Sequence, residues 1–285
     1  MKQSFFFLIL SLLQMSCISI HVAEKDIFNP NKVSLLNNNV HLEDVYFKTG
    51  DNVRLNGWLI KQDNARGTFL YFGGNGFSVW NRSTSDVINL FTSFKMNLML
   101  IDYRGYGRSE GNPTIEGIYE DGKSAYAYLR TRSDIDSTRI IIYGHSIGTF
   151  VASRVGSNYP VAGVVLEGAI SNTKEMSDVA LKERAPWYLR WLVKIDADSI
   201  VLSMDNIKQV SSITKPLLVI TGEKDNLAPP EMGRKVYEAA SSSNKHFEII
   251  PKGEHKDLYF SNVDGRRDYY IKVLSKYLDD VLGVH

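Results

Sequence analysis

The fold of this chain is decided by one stretch of its sequence, Arg139-Ile-Ile-Ile-Tyr-Gly-His-Ser-Ile-Gly148. The apolar first half predicts a buried β-strand, and residues 149–155 predict the start of a helix. A Gly-x-Ser-x-Gly pentapeptide between a strand and a helix forms a sharp turn, the nucleophile elbow, with its serine in a strained backbone conformation. Glycines on both sides remove side chains that would collide there. We therefore expect the Ser146 hydroxyl at the top of a sheet, with the backbone N–H of Ile147 aimed at the same site.

The composition is that of an ordinary globular protein. The chain has 285 residues, of which 44% are hydrophobic and 23% are charged, enough for one large domain with a substantial core. Its 33 Lys and Arg residues nearly balance its 32 Asp and Glu residues, and no basic block stands out. We therefore do not expect nucleic acid as a main partner.

The N-terminus has the features of a secretory signal peptide, which we assign to residues 1–17. One of the first three residues is a lysine, a nearly continuous apolar run follows at residues 5–13, and small residues end the segment. The apolar run is too short for an ordinary membrane span. We expect an exported protein with a tether at residues 18–39 and an α/β domain at residues 40–285.

Cys17 is the only cysteine of the chain, and it lies where a bacterial lipoprotein carries its lipid-modified cysteine. Leu13 and Ser16 fit that pattern, whereas Gln14 and Met15 fit it less well. A simple cleaved signal in which Cys17 is the last small residue is the alternative. The expectation is a membrane-anchored lipoprotein on a bacterial periplasmic face or cell surface, and otherwise a secreted or periplasmic protein. A lone cysteine excludes an internal disulfide.

Strand and helix signals alternate along the rest of the chain. Residues 40–48 and 53–60 predict a β-hairpin. Further strands are predicted at residues 67–72, 96–103, 139–143, 161–166, 216–221 and 247–250, and helices at 78–94, 115–131, 231–240 and 266–281. Such alternation implies a mostly parallel sheet with helices on both faces, and sites in such sheets form at the carboxyl ends of the strands.

Residues 170–212 break this alternation, because they are long for a connection between strands. They contain an aromatic cluster around Pro186 that includes Trp187, Tyr188 and Trp191. A short helical cap over the active site explains the segment, and an ordinary surface helix that packs its aromatic residues into the core is the alternative. We favour the cap, and its aromatic residues favour an apolar acyl group in the substrate.

A serine hydroxyl is a poor nucleophile near neutral pH and needs a histidine base, which in turn needs an orienting acid. After a nucleophile elbow, the acid and then the histidine follow along the chain. His255 comes directly after the last predicted strand and is the expected base. His246 opens that strand at its wrong end, and the side chain of His145 is expected to point away from Ser146.

The expected acid is Asp225, which lies in the loop after the strand at residues 216–221. Glu223 in the same loop and Glu167 after the preceding strand are the alternatives. An oxyanion needs two backbone donors. The first expected donor is the N–H of Ile147, and the second comes from the glycine-rich loop at residues 73–76, from Asn75 by preference or from Gly74.

Four segments of the chain together resemble the α/β-hydrolase superfamily, across roughly residues 40–282. They are Tyr-Phe-Gly-Gly-Asn-Gly at 71–76, Asp-Tyr-Arg-Gly-Tyr-Gly-Arg-Ser-Glu-Gly at 102–111, the pentapeptide at 144–148 and the loop at 222–229. Within the superfamily, the chain is similar to the small α/β-hydrolase domain-containing serine hydrolases, which include esterases and protein depalmitoylases. The oxyanion loop of that branch usually reads His-Gly-Asn, and here Gly73 stands where the histidine would be.

The resemblance implies a mostly parallel eight-stranded sheet and acyl transfer without a cofactor, in which Ser146 attacks a small or lipid-like ester or thioester. A serine at the elbow, rather than an aspartate, argues against dehalogenase and epoxide hydrolase chemistry. The sequence contains no Cys/His cluster of the kind that indicates a metal site. The alternatives are a serine peptidase on the same fold, whose members often carry a large extra domain, and a non-catalytic binding module that retains the fold.

Overall fold

The computed structural model describes residues 18–31, 42–81, 83–256, 258–259 and 264–283. The predicted signal peptide at residues 1–17, including Cys17, lies outside the described residues, as does the predicted start of the domain at residue 40. The signal peptide, the lipidation and the starting point of the domain therefore stay predictions.

The described part of the chain has one eight-stranded sheet, as predicted. Its strands are β2 (Glu43–Lys48), β3 (Arg54–Ile60), β4 (Thr68–Phe72), β5 (Asn97–Ile101), β6 (Ile140–His145), β7 (Gly163–Glu167), β9 (Leu217–Gly222) and β10 (Lys245–Ile250). The other two strands, β1 (Ile18–Val22) and β8 (Val193–Ala197), form a separate parallel pair.

The order across the large sheet is β10-β9-β7-β6-β4-β5-β3-β2. Only the pairs that involve β3 are antiparallel, so β2 and β3 form the predicted hairpin and the rest of the sheet is parallel. The central strands β4, β5, β6 and β7 are buried on both faces, which explains their nearly continuous apolar sequences. The predicted mostly parallel sheet is confirmed.

Helices cover both faces of the sheet. The longer ones are α1 (Thr84–Thr92), α2 (Ile115–Thr131), α3 (Gly148–Asn158), α4 (Thr173–Arg184), α7 (Pro230–Ala239) and α8 (Arg266–Leu282), and the short ones are α5 (Ser199–Leu202) and α6 (Asn206–Val210). Apolar side chains of α1 and α8 pack on one face of the sheet with Phe69 and Tyr71 of β4. Those of α2, α3 and α7 pack on the other face with Leu70 and Phe72. The alternation of β4 residues between the faces follows from the two-residue period of a strand.

Two features of the helices bear on the predictions. The helix predicted at residues 78–94 begins only at Thr84, and the N–H of Val79 donates instead to the buried carboxylate of Asp102 at 2.8 Å. Within the described residues, no helix combines the length and the apolar character that a bilayer span requires.

The insertion at residues 170–212 is built from α4, a 3₁₀ turn at Arg190–Leu192, strand β8 and the short helices α5 and α6. It packs on the nucleophile helix α3, where the Asn206 side-chain amide donates to Thr149 Oγ1 at 2.9 Å. Trp187, Tyr188 and Trp191 are exposed, so the alternative in which these residues pack into the core is wrong. The insertion contains a strand as well as helices, and its role as a cap over the active site stays a prediction.

The described part of the predicted tether is folded onto the domain. Strand β1 pairs in parallel with β8 of the insertion, from Ile18 opposite Val193 to Val22 opposite Ala197. Glu24 follows β1, and its carboxylate accepts a hydrogen bond from the N–H of Ile115 at 2.7 Å. Residues 18–31 therefore connect the insertion with the body of the domain.

Candidate active site

Ser146 lies at the turn between β6 and α3 in a left-handed backbone conformation, with φ of +56°. Such a conformation is unfavourable for a residue with a side chain and marks a functional turn. The Ser146 N–H donates to the carbonyl of Glu167 at 2.9 Å, which holds the turn against β7. A Cβ at residue 148 would overlap the carbonyl oxygen of Phe72, so the pentapeptide needs its second glycine for close packing.

The residues predicted as nucleophile, base and acid form one chain of hydrogen bonds, and all three are buried. His255 Nε2 lies 2.8 Å from Ser146 Oγ, and His255 Nδ1 lies 2.7 Å from Asp225 Oδ2. Ser146, His255 and Asp225 are 8%, 9% and 2% exposed. Because an ionised carboxylate only accepts hydrogen bonds, Nδ1–H donates to Asp225 and Nε2 is left to accept the serine proton.

Asp225 is oriented by the loop that carries it. Its second oxygen, Oδ1, accepts hydrogen bonds from the N–H groups of Leu227 at 2.9 Å and Ala228 at 2.7 Å. Both carboxylate oxygens are therefore occupied, one by the loop and one by His255. A carboxylate held in this way cannot rotate away from the imidazole, which keeps one tautomer of the histidine.

The two alternative acids do not contact His255. Glu223 is exposed, and its carboxylate accepts the N–H of Lys252 at 2.7 Å. The N–H of Lys224 donates to the carbonyl of Gly253 at 2.7 Å, so the acid loop and the histidine loop are bound directly to each other. Glu223 therefore positions the loop of the base without contacting the base.

Glu167, the other alternative, belongs to a buried network with two tyrosines, and its Oε1 lies 4.0 Å from His145 Nε2. Its carboxyl accepts hydrogen bonds from the hydroxyls of Tyr143 and of Tyr270, the latter at 2.9 Å. Burial raises the pKa of Glu167 to about 7, against the hydrogen bonds from Tyr143 and Tyr270, which lower it. The carboxyl is thus largely protonated below neutral pH, which does not suit it to hold a charged imidazole.

The glycine-rich loop after β4 lies against the serine. A Cβ at residue 74 would lie 3.2 Å from Ser146 Cβ and 2.9 Å from His145 Nδ1, so only a glycine lets the loop approach so closely. Within the described residues, the backbone N–H groups of Ile147, Gly74 and Asn75 donate to no backbone or side-chain acceptor. These N–H groups are the three that the sequence nominates as oxyanion donors.

Phe77 explains the glycine at position 73. A Cβ at residue 73 would overlap the Phe77 ring, which also packs against Tyr71 with 5.4 Å between ring centroids. The N–H of Phe77 donates to the carbonyl of Gly74 at 3.0 Å and closes the turn. The ring therefore occupies the space of the missing histidine side chain and braces the loop in its place.

His145 lies closer to the site than expected. Its ring centroid is 5.4 Å from that of His255, and Nε2–H donates to the backbone carbonyl of His255 at 3.1 Å. Burial, and after it the charge of the neighbouring His255, lower the pKa of His145 to about 4. The neutral imidazole therefore holds the loop that carries His255, and no local sequence signal indicates this contact.

No described group of three or more His, Cys, Asp or Glu side chains is arranged to hold a metal ion. The hydrogen-bonded line of Ser146, His255 and Asp225, with the backbone N–H groups beside Ser146, is an arrangement that acyl transfer could use.

A sequence profile of the prolyl oligopeptidase family matches residues 83–284. Among curated proteins, the chain is 29% identical over 253 residues to the α/β-hydrolase domain-containing protein WAV2 of Arabidopsis thaliana, covering 84% of this chain and 80% of WAV2. It is 28% identical over 245 residues to protein bem46 of Schizosaccharomyces pombe, covering 84% of this chain and 77% of bem46.

Among solved structures, the chain resembles the esterase Pf2001 of Pyrococcus furiosus, with a TM-score of 0.72 and 23% sequence identity. The match covers 90% of this chain and 98% of the esterase. The α/β-hydrolase GrgF of a Penicillium species matches with a TM-score of 0.69 and 18% identity, over 86% of this chain and 100% of GrgF. These likenesses establish the α/β-hydrolase fold.

Proposed function

Because the chain belongs to the prolyl oligopeptidase family, within the α/β-hydrolase superfamily, we propose that it is a serine hydrolase of carboxylic esters or thioesters. One observation carries the proposal: the unbroken line of hydrogen bonds from Ser146 Oγ through His255 to Asp225. The fold makes a hydrolase the expected class, and this line supplies the nucleophile, the base and the acid in their required geometry.

The reaction begins when Ser146 Oγ attacks the substrate carbonyl carbon and its proton passes to His255 Nε2. The carbonyl oxygen becomes an oxyanion, which the N–H groups of Ile147 and of Asn75 or Gly74 stabilise. The bond to the leaving alcohol or thiol then breaks, and His255 returns the proton to that group. Asp225 stabilises the charged imidazole throughout and does not itself take the proton.

Water completes the cycle. His255 accepts a proton from a water molecule, whose oxygen attacks the acyl carbon of the ester formed on Ser146. The bond between that carbon and Ser146 Oγ breaks, and the proton returns from His255 to the serine. The products are the free acid and the original enzyme, so the proposed reaction requires neither a cofactor nor a redox partner.

The likeness to an esterase supports an ester or thioester substrate over a peptide. Pf2001 is described as an esterase and covers nearly the whole of this domain. A serine peptidase is the second candidate, because the family profile that matches residues 83–284 is that of the prolyl oligopeptidases.

A hydrolysis panel tests the proposal. Wild type and Ser146→Ala are compared on esters and thioesters of increasing acyl length and on short peptides, with a fluorophosphonate probe as an independent measure of the nucleophile. We expect wild type to cleave esters or thioesters and to be labelled, and Ser146→Ala to do neither. Faster cleavage of the peptides would establish the second candidate. Labelling and turnover no greater than those of Ser146→Ala would establish a non-catalytic binding module.

We also propose that the protein is exported and attached to a membrane through a lipid on Cys17. The support is the signal-like sequence of residues 1–17. Mass spectrometry of the N-terminus after expression in a bacterium tests it, with Cys17→Ser as the control. A lipid-modified Cys17 is the expected result, and a free N-terminal amine at a different residue would contradict it.

A further inference from the structure

The insertion carries an exposed aromatic face, which we define as Trp187, Tyr188, Leu189 and Trp191. Trp187 is 78% exposed and Trp191 is 70% exposed, whereas large apolar side chains are usually buried. The face is ordered by its own contacts: Trp187 packs edge-on against Tyr188, and Trp191 Nε1–H donates to the carbonyl of Tyr188 at 2.8 Å. A continuous exposed apolar patch of this kind marks a surface that binds a partner.

Strand β1 extends this face. Ile18 is opposite Val193, two residues after Trp191, and Ile20 is opposite Ile195. Ile18 is 58% exposed, and Ile20 is also exposed. Two segments that are far apart in the sequence therefore present large apolar side chains at the same edge of the insertion.

The charges beside the aromatic face are mostly positive. Lys182, Arg184 and Lys194 are exposed, and Arg190 is half-buried, where its guanidinium donates to the carbonyls of Ala185 and Lys182. Glu183 is the only acidic residue from 182 to 195, and the two acidic residues that follow, Asp196 and Asp198, are both paired with His21 of β1. Basic side chains around Trp, Tyr and Leu are the combination that binds the surface of a bilayer with anionic lipids.

The sequence directly before β1 points to the same partner. Cys17 directly precedes Ile18, and the apolar run at residues 5–13 precedes Cys17 by a few positions. Any membrane attachment made by this segment therefore enters the fold at Ile18, beside Val193 and the aromatic face. If the partner were a protein, there would be no physical reason for the attachment point, the aromatic side chains and the positive charges to lie together.

We propose that the aromatic face docks on an anionic lipid surface. Trp187, Trp191 and Leu189 enter the headgroup region, and the neighbouring basic side chains pair with lipid phosphates. The insertion then faces the membrane, and α8, which packs on the opposite face of the sheet, faces water. This docking goes beyond the proposed hydrolase activity and does not depend on it.

Site-specific labels test the orientation. Cys17 is the only cysteine, so full-length Cys17→Ser is a background for a single environment-sensitive fluorophore. One label is attached at Leu189→Cys on the aromatic face, and the matched control is at Lys276→Cys, an exposed position on α8. Vesicles of phosphatidylcholine with and without phosphatidylglycerol are added, and spin-labelled lipids report contact with the bilayer.

We expect the label at position 189 to brighten and to be quenched by spin-labelled lipid in the anionic vesicles, while the label at position 276 stays unchanged. Trp187→Ser with Trp191→Ser should weaken this response about tenfold, because two interfacial anchors are lost. Attachment through residues 5–13 alone would also bring position 189 near the bilayer, so a response that survives in Trp187→Ser with Trp191→Ser would assign the binding to that segment and overturn the docking of the aromatic face.

Equal responses at positions 189 and 276, or none at 189, would overturn the proposal. A response as strong in pure phosphatidylcholine would overturn its anionic component. If position 189 is shielded without lipid, and more so at higher protein concentration, the partner of the aromatic face is a second copy of the chain and not a membrane. Circular dichroism of the tryptophan variants checks that they are folded.

Discussion

The backbone N–H of Asn29 donates a hydrogen bond to Oδ1 of Asn75 at 2.7 Å. The Asn75 side-chain amide donates in turn to the carbonyl of Ile27 at 2.9 Å, and the Tyr106 hydroxyl donates to Asn75 Oδ1 at 3.1 Å. The N-terminal segment thus holds the Asn75 side chain by hydrogen bonds, and Asn75 is the preferred second oxyanion donor. Because β1 in the same segment pairs with β8, the segment joins the insertion to the oxyanion loop.

Asn75→Ala should lower kcat about 10- to 100-fold with little change in KM, because it frees the loop that must present an N–H to the oxyanion. The substitution keeps the backbone N–H and removes only the side-chain bonds to residues 27, 29 and 106. Steady-state kinetics on a soluble ester measures the effect. Tyr106→Phe removes one of these bonds and should cost less. A wild-type kcat for Asn75→Ala would show that the N-terminal segment does not position the loop.

Asp225→Asn should lower kcat by about 10³- to 10⁴-fold, because an amide holds the wrong tautomer of His255. The matched control is Glu223→Gln, which changes a carboxylate in the same loop and keeps an acceptor for the N–H of Lys252. That control should stay close to the wild-type rate. Thermal unfolding of both variants separates catalysis from stability. A large loss of kcat in Glu223→Gln and a small one in Asp225→Asn would assign the role of the acid to Glu223.

His145→Ala should lower kcat about tenfold, because the loop of His255 loses its hydrogen bond from Nε2–H and small displacements of a base are costly. The pKa of about 4 keeps His145 neutral at the pH where a histidine base works, so the midpoint of the pH–rate profile should stay in place. Kinetics between pH 5 and pH 9 measures both quantities. A shifted midpoint with an unchanged plateau would mean that His145 acts on the charge of the base instead of its position.

Glu167 should make the protein less stable as pH rises. Its folded-state pKa of about 7 lies above the ordinary value of 4.5, so the unfolded chain releases this proton first. The stabilising contribution is complete below pH 4.5 and is lost as pH approaches and passes 7, which amounts to about 3 kcal/mol in the free energy of unfolding. Urea unfolding at several pH values measures the slope.

The matched variant for this test is Glu167→Gln, which keeps an oxygen acceptor for Tyr143 and Tyr270 and cannot ionise. Its free energy of unfolding should fall less than that of the wild type between pH 5 and pH 8. Parallel curves for the two proteins would show that Glu167 is ionised in the folded state at both pH values.

Some of the fold and the site could be predicted because the signals are local. The β-branched run at residues 140–142, the glycines beside Ser146 and the helical spacing at residues 115–131 each specify a strand, a turn or a helix over a few residues. The parallel sheet follows from their alternation. His255 and Asp225 could be nominated because residues that follow parallel strands meet at one edge of the sheet.

The positions of His145 and Phe77 could not be predicted. Phe77 fills the space left by Gly73 through a turn within one loop, and a sequence does not specify where its ring packs. His145 contacts the carbonyl of a residue 110 positions away. The pairing of β1 with β8 joins residues 175 positions apart, such as Ile18 and Val193, and each strand is short and partly polar.

The sequence by itself determined the fold class, the serine at the elbow and the order of the candidate acid and base, because these depend on short-range backbone preferences and on strand order. Only the tertiary structure decided that Asp225, rather than Glu223 or Glu167, contacts His255, that Phe77 and His145 brace the site, and that residues 18–31 hold Asn75. The physical reason is that hydrogen bonds and packing act over a few ångströms between residues 30 to 110 positions apart in the chain.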